Sequence, residues 1–90
     1  MMKNIDQIKN LLIEISDLLN AGHCPEWGSV FLRMSREIDS DPETVRYQIV
    51  SSYRGYSDLV LYENGTLLVD QTNKLDDLRN ELFGLAKGYI

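Results

Sequence analysis

Residues 59–69 constrain the fold of this chain more than any other segment. Two arms rich in leucine, valine and tyrosine flank the dipeptide Asn64-Gly65. Asn-Gly between such arms is the strongest short-range signal for a β-hairpin closed by a two-residue type I′ turn. A lone two-stranded hairpin is only marginally stable in water. We therefore expect helices to cover one apolar face of the hairpin and to leave the other face half covered. Along the two arms, one alternating set is Leu59, Leu61, Leu67 and Val69, and the other is Val60, Tyr62, Thr66 and Leu68.

The segments on both sides of the hairpin have helical periodicity. Apolar residues recur at intervals of three or four positions over residues 5–19, 27–38 and 75–89, which places each set on one face of a helix. Pro25 suits the first position of the second helix, where its missing N–H would be unpaired in any case. Trp27 lies on the apolar stripe of that helix and is interpreted as a core residue.

A third helix is predicted to begin at a cap supplied by Ser40 or Asp41 and to end at Gly55. Asn73 is predicted to cap the last helix. The order of three N-terminal helices, a β-hairpin and a C-terminal helix indicates an α+β fold in a single domain over residues 1–90. The C-terminal helix is expected to pack on the first helix.

Composition and charge limit the kinds of partner. With 43% hydrophobic and 26% charged residues, the chain is an ordinary globular sequence rather than a disordered one. The net charge of -5 and the pI near 4.6 argue against nucleic-acid binding, which depends on Lys and Arg to neutralise phosphates. The same charge either favours a basic protein partner or serves solubility alone.

The sequence carries no mark of export or of membrane insertion. Its apolar runs are too short to span a bilayer. Asp6 places a charge where a secretory signal needs an apolar core, so a cytoplasmic location is expected. Cys24 is the only cysteine, which fits a reducing compartment and predicts neither an internal disulfide nor a cysteine-based zinc site.

The adjacent residues His23 and Cys24 are the first candidates for catalysis. A thiol nucleophile needs a base that reaches it, and usually a third group that orients the base. Neighbouring side chains rarely point at each other, so Cys24 is interpreted as a buried structural residue. Ser57 has no candidate base except the distant His23. Because no phosphate loop, metal site or cofactor motif is visible, the chain is not expected to be an enzyme.

Four carboxylates alternate through the connection between the second and third helices, namely Glu37, Asp39, Asp41 and Glu43. The segment lacks the glycine and the distal bidentate glutamate of an EF-hand loop, so no calcium site is expected. Two interpretations remain open. The carboxylates either cap helices and stay in water, or they form an acidic patch that binds Lys and Arg of a partner.

The turn before the hairpin is the second candidate binding surface. It contains Tyr53, Arg54, Tyr56 and Asp58, and tyrosine and arginine dominate the hot spots of protein interfaces. Asp58 and the preceding Ser57 are also common turn formers. The segment is therefore either a turn alone or a binding site in which Tyr56 is the buried anchor for a partner.

A resemblance to a known family rests on residues 53–61, with the sequence Tyr-Arg-Gly-Tyr-Ser-Asp-Leu-Val-Leu. This segment resembles the central motif of a bacterial family of small domains of unknown function. The similarity covers approximately Trp27 to Ala86. In that family a helical region with a tryptophan precedes a glycine-rich turn, a Ser-Asp pair, an apolar strand and a closing helix. In size and acidity the chain also resembles the immunity proteins of bacterial toxin systems.

These observations predict a non-enzymatic cytoplasmic protein-binding domain, and most concretely an immunity protein that neutralises a toxin by binding a basic surface. One alternative is a small enzyme or ligand-binding domain with a pocket between hairpin and helices, using Asp58 with Tyr56 or Arg54. Another is a structural module that forms a homodimer through the half-covered hairpin face. No nucleic-acid partner and no membrane partner is expected.

Overall fold

The structure is a computed structural model that describes residues 4–87. These residues form five helices and one two-stranded antiparallel hairpin, an α+β arrangement as the sequence predicts. In chain order the elements are α1 (Ile5–Ala21), α2 (Pro25–Glu37), α3 (Pro42–Ser51), α4 (Tyr53–Tyr56), β1 (Tyr62–Glu63), β2 (Thr66–Leu67) and α5 (Val69–Lys87). Tyr89, which the periodicity assigned to the last helix, lies outside the described residues.

Helix α1 supplies much of the core. It packs against both α2 and α5, so the expected contact between the first and last helices is present. Its apolar stripe is buried as the three–four spacing predicts, because that spacing keeps these side chains on one face. The buried apolar side chains of α1 are Ile8, Leu11, Leu12, Ile15 and Leu19.

The glycine inside α2 allows close packing between α1 and α2. A Cβ atom at Gly28 would overlap the side-chain amide of Asn20. Ser16 Oγ, buried on α1, donates a 2.8 Å hydrogen bond to the Gly28 carbonyl oxygen. A glycine in a helix costs about 1 kcal/mol relative to alanine, and here that cost is offset by the approach of the two helices.

The connection between α1 and α2 contacts the hairpin. Helix α1 ends before Gly22, as predicted, but the left-handed residue is His23, with a φ of 66°. Gly22 is required for another reason, since a Cβ atom there would overlap the Leu61 side chain. The Gly22 carbonyl oxygen also accepts a 3.4 Å hydrogen bond from the Tyr62 N–H.

The predicted third helix is interrupted before its end. Helix α3 stops at Ser51, and after Ser52 the chain makes the single turn α4. Gly55 lies within α4 instead of ending a helix. A Cβ atom on Gly55 would come within 3.0 Å of the Trp27 ring, so glycine allows α4 to lie directly on this tryptophan.

Helix α5 begins at Val69, earlier than the predicted cap Asn73. Thr72 explains the early start, because its side chain and its main chain both bond to residues beside the hairpin. Its Oγ1 accepts a 3.0 Å hydrogen bond from the Leu61 N–H, and its own N–H donates a 2.9 Å bond to the Leu68 carbonyl oxygen. The second arm of the hairpin therefore runs directly into the helix.

The turn of the hairpin has the predicted conformation. Asn64 and Gly65 both have positive φ, 51° and 80°, as a type I′ turn requires. Only two residue pairs form the ladder, so the strands are shorter than the sequence suggested. All four residues of the ladder are exposed, so the helices do not cover the tip of the hairpin. The expected cover of one apolar face is present only at its base, where Leu61 is 1% exposed and Leu59 and Leu68 pack against the core.

Gly65→Val is expected to lower the free energy of unfolding by about 1 kcal/mol or more. This is what it costs to hold a residue with a Cβ atom in the left-handed backbone conformation. No atom lies within 4 Å of a Cβ atom at Gly65, so backbone strain is the sole source of this effect. Thr66→Val is the matched control, since it places the same side chain in a strand. Chemical denaturation measures both, and equal unfolding midpoints for the two variants would contradict the turn assignment.

Candidate functional site

The turn of residues 53–58 is held by a buried arginine that the sequence analysis did not single out. Arg79, on α5, is 5% exposed, and its Nη1 donates 3.0 Å hydrogen bonds to the carbonyl oxygens of Tyr56 and Leu59. Asp76 accepts hydrogen bonds from Nε and Nη2 of the same guanidinium, at 3.0 and 2.7 Å. Burying a charge is costly unless it is paired and hydrogen-bonded, and both conditions are met here. The sequence contains one signal for this role, since Arg79 lies within the apolar stripe of the last helix, three residues after Asp76.

Tyr56 is a core residue, which corrects its predicted role as an anchor for a partner. It is 1% exposed, its hydroxyl donates a 2.7 Å hydrogen bond to the Ile49 carbonyl oxygen, and its ring packs edge-on against Phe31. Burial raises the pKa of the Tyr56 hydroxyl above its usual range, and neighbouring Tyr53 adds to the rise while Arg79 opposes it. Its contribution is therefore to the fold.

The other residues predicted in this turn have different surroundings. Tyr53 is partly buried, its hydroxyl donates a 3.1 Å hydrogen bond to Asn80 Oδ1, and its ring centroid lies 4.1 Å from that of Phe83. Arg54 and Asp58 are exposed, and neither forms an ion pair within residues 4–87. The segment forms a turn that presents the charged side chains of Arg54 and Asp58, and partner binding by Tyr53, Arg54 and Asp58 stays a prediction.

Each carboxylate of the predicted acidic patch has a local partner. Three form exposed ion pairs, namely Asp39 with Lys9, Glu37 with Arg33, and Glu43 with Arg46. Asp41 caps α3, as predicted, because its Oδ1 accepts a 3.3 Å hydrogen bond from the Thr44 N–H. The role of these residues in capping and local pairing is therefore visible in the structure, while partner binding by them stays a prediction.

The structure separates the two predicted binding surfaces. Cys24, at the start of α2, lies beside the hairpin, with its Sγ 3.9 Å from the Val60 carbonyl oxygen. Helix α2 then runs for 13 residues, about 20 Å at its usual rise, before it reaches Glu37. The acidic connection therefore lies at the end of α2 that is remote from the hairpin, whereas Asp58 precedes the hairpin by a few residues.

The hairpin carries an exposed apolar surface whose residues differ from the sets that the sequence predicted. Of the six large apolar side chains that are exposed within the described part of the chain, four belong to residues 60–69, with exposed fractions from 39% to 56%. The register pairs Tyr62 with Leu67, so these two share one face of the ladder. Val60 lies two residues before Tyr62, and Val69 lies two residues after Leu67 as the first residue of α5, so both flank this pair in the chain. We call this surface, made of Val60, Tyr62, Leu67 and Val69, the outer hairpin face.

The predicted sets differ from the outer hairpin face because they rest on the alternation of side chains along each arm separately. They do not take into account how the turn pairs the two arms. That procedure grouped Leu67 with Leu61, although the two have opposite environments: Leu67 is 42% exposed and Leu61 is 1% exposed. A two-residue turn at Asn64-Gly65 pairs position 62 with position 67, and this pairing alone would have placed Leu67 with Tyr62.

The charges around the outer hairpin face have one sign. Residues 58–70 include Asp58, Glu63 and Asp70 and contain no Lys or Arg. All three carboxylates are exposed, and none of them forms an ion pair within residues 4–87. The hairpin segment therefore combines exposed apolar side chains with these three carboxylates, of which Glu63 is directed to the ladder face opposite Tyr62 and Leu67. We call these three carboxylates the acidic surround.

The two residues first considered for catalysis, His23 and Cys24, lie in the connection beside the hairpin. His23 is exposed and Cys24 is partly buried. Among the described residues no three His, Cys, Asp or Glu side chains are grouped so that they could hold a metal ion. A shallow groove lined by Glu14, Asp17, Leu18 and Lys74 lies between α1 and α5. Over residues 4–87, none of the helices has the length and apolarity needed to cross a membrane.

Comparison with models of protein families, with curated proteins and with solved structures gives no match to this chain.

Arg79→Met is expected to lower the free energy of unfolding by about 2 kcal/mol, because two carbonyl oxygens lose a charged donor. Methionine keeps much of the apolar stem, so packing is largely preserved. Arg33→Met is the matched control, since Arg33 forms an exposed ion pair with Glu37, and it should cost about 0.5 kcal/mol or less. Urea denaturation measures both values, and equal losses would contradict the role of Arg79 in holding the turn.

The pKa of Tyr56 predicts a loss of stability at alkaline pH. An unfolded tyrosine releases its proton near pH 10, while buried Tyr56 retains it, so above about pH 10 the folded state binds more protons than the unfolded state. The free energy of unfolding should therefore fall as the pH rises beyond that value. In Tyr56→Phe the fall should be smaller, because only the titration of other groups remains. Denaturation at about pH 9 and pH 11 tests this, and parallel losses in the two proteins would refute it.

Proposed function

We propose that this chain is a non-enzymatic protein-binding domain whose contact surface is the outer hairpin face, and that it acts as an immunity-type protein that binds a basic region of a toxin. The observation that carries the proposal is the grouping of four exposed apolar side chains within residues 60–69, two of which, Tyr62 and Leu67, share one face of the hairpin ladder. Contiguous exposed apolar surface of this kind marks interaction sites in folded proteins.

The composition of the face supports protein binding. Tyr62 is 46% exposed and stands opposite Leu67, so an aromatic ring and an aliphatic side chain offer apolar area together. Tyrosine is enriched at interface hot spots because it combines large area with a polar end. Tyr62 thus takes the role that the sequence analysis gave to Tyr56.

The charge supports a basic partner. Asp58, Glu63 and Asp70 are the charged residues of segment 58–70, which contains no Lys or Arg. Opposite charges around an apolar centre speed the encounter of two proteins and suppress wrong partners. The association rate should therefore fall with salt, since the Debye length shrinks from about 10 Å at 0.1 M to about 3 Å at 1 M. The neutralised pair Asp58→Asn and Asp70→Asn should slow association more than Asp39→Asn with Glu43→Gln, which removes equal charge at the remote acidic connection.

A co-expression experiment tests the function directly. The probe is the toxin-domain protein encoded next to the gene for this chain, produced together with the chain in a sensitive host. Co-expression should restore growth, and the purified proteins should form a complex. A gene neighbourhood without a toxin, or a toxin that neither binds nor is neutralised, would overturn the proposal.

The double variant Tyr62→Thr and Leu67→Thr tests the surface. Threonine keeps strand propensity, and both residues are exposed, so the fold should be retained. Loss of an interface hot spot of about 2 kcal/mol corresponds to a roughly thirtyfold increase in Kd, mainly through faster dissociation. Tyr47→Gln is the control, because Tyr47 is 68% exposed but lies on α3. Equal affinities for the double variant and the control would exclude the outer hairpin face as the contact surface.

A further inference from the structure

The two edges of the hairpin differ in their free hydrogen-bonding groups. In an antiparallel ladder, pairs whose main-chain groups bond to each other alternate with pairs whose groups point outward. The Leu68 N–H donates a 2.8 Å hydrogen bond to the Leu61 carbonyl oxygen, so the pair of residues 61 and 68 points inward. The next pair, Tyr62 with Leu67, must therefore direct its main-chain groups outward.

The outward-facing N–H of Tyr62 already has a hydrogen-bond partner. The Tyr62 N–H bonds to the Gly22 carbonyl oxygen, which attaches β1 to the connection between α1 and α2. The main-chain N–H and C=O of Leu67 form no hydrogen bond within residues 4–87. Leu67 as a whole residue is also 42% exposed, which agrees with an uncovered β2 edge.

The β2 edge lacks two common protections against strand pairing. Natural edge strands are often blunted by lysine or proline, and residues 65–68 contain neither. The remaining protection is shortness, since β2 comprises Thr66–Leu67 only. A strand added at this edge can form main-chain hydrogen bonds with Leu67 alone, so contacts between apolar side chains must supply the rest of the affinity.

We infer that the outer hairpin face and the open edge of β2 together bind an extended segment of the partner, which adds as a strand beside Leu67 and carries apolar residues between Lys or Arg residues. This inference rests on the proposed function and specifies how the partner binds. Strand addition to an open edge takes affinity from main-chain bonds and specificity from alternate side chains.

The acidic surround decides between a basic segment and a second copy of this chain. A symmetric antiparallel pair centred on Leu67 would place position 70 of one copy opposite position 64 of the other, so Asp70 would approach Glu63 of the second copy. Like charges so placed repel. Lys and Arg in alternation with apolar residues would instead meet Glu63 and Asp70 with opposite charge.

A peptide titration tests the inference without the toxin. The probe is a synthetic capped heptapeptide of alternating Lys and Val, and the control replaces each Lys by Glu. Amide hydrogen exchange followed by NMR should show that the Leu67 N–H exchanges freely in the unbound protein and slows when the Lys-Val peptide is added. The Tyr62 N–H, already bonded to Gly22, should change little, and the Glu-Val peptide should have no effect.

Each other outcome overturns strand addition by a basic segment. An unprotected Leu67 N–H at the highest soluble concentration of the Lys-Val peptide excludes it. Equal protection by both peptides removes the role of charge, and sedimentation of the free chain as a dimer that Leu67→Thr dissociates assigns the edge to a second copy. If the peptide fails while the toxin still binds through Tyr62, only the mode of binding is wrong. If the Lys-Val peptide protects the Leu67 N–H but the toxin does not bind, strand addition at the β2 edge is retained and the immunity function is wrong.

Discussion

The position of the hairpin depends on the contact between the Arg79 guanidinium and the carbonyl oxygens of Tyr56 and Leu59. Carbonyl groups at the end of a helix have no partner within it, and α4 is a single turn that offers few alternatives. Arg79 satisfies them from α5, the helix into which the hairpin leads. The Arg79 side chain therefore connects α5 to the segment that precedes the hairpin. Its buried charge is paired with Asp76, and its hydrogen bonds fix the position of residues 56–59.

The outer hairpin face projects from a base that is fixed at several points. Tyr62 is bonded to the connection after α1, and Leu61 is bonded to Thr72 at the start of α5. The type I′ turn at Asn64-Gly65 sets the pairing of the two arms. A surface held in one conformation before binding loses less conformational entropy when a partner arrives. The molecule thus combines exposure of apolar side chains with restriction of the backbone that carries them.

Local signals in the sequence were sufficient for α1, α2 and the turn, because periodicity, proline positions and Asn-Gly act over a few residues. The start of α5 was misplaced because Thr72 bonds to Leu61, a contact across the hairpin that no local pattern of helix caps contains. The burial of Tyr56 has the same kind of cause, because it depends on Phe31 from another helix. The apolar stripe of the last helix indicated the burial of Arg79, but not the carbonyl groups from another element that bind its charge. The outer hairpin face, by contrast, followed from the register of the predicted turn.

The exposed residues of the outer hairpin face and the core residues beneath them are under different evolutionary constraints. Substitutions of surface residues usually change stability by about 0.5 kcal/mol or less, whereas the core positions beneath them tolerate little change. Val60, Tyr62, Leu67 and Val69 contribute little to the core, since each is exposed. Their side chains are therefore free to diversify while Leu61, Thr72 and Arg79 keep the scaffold unchanged. A lineage of such chains could change what it recognises by point substitutions at the tip, without passing through unstable intermediates.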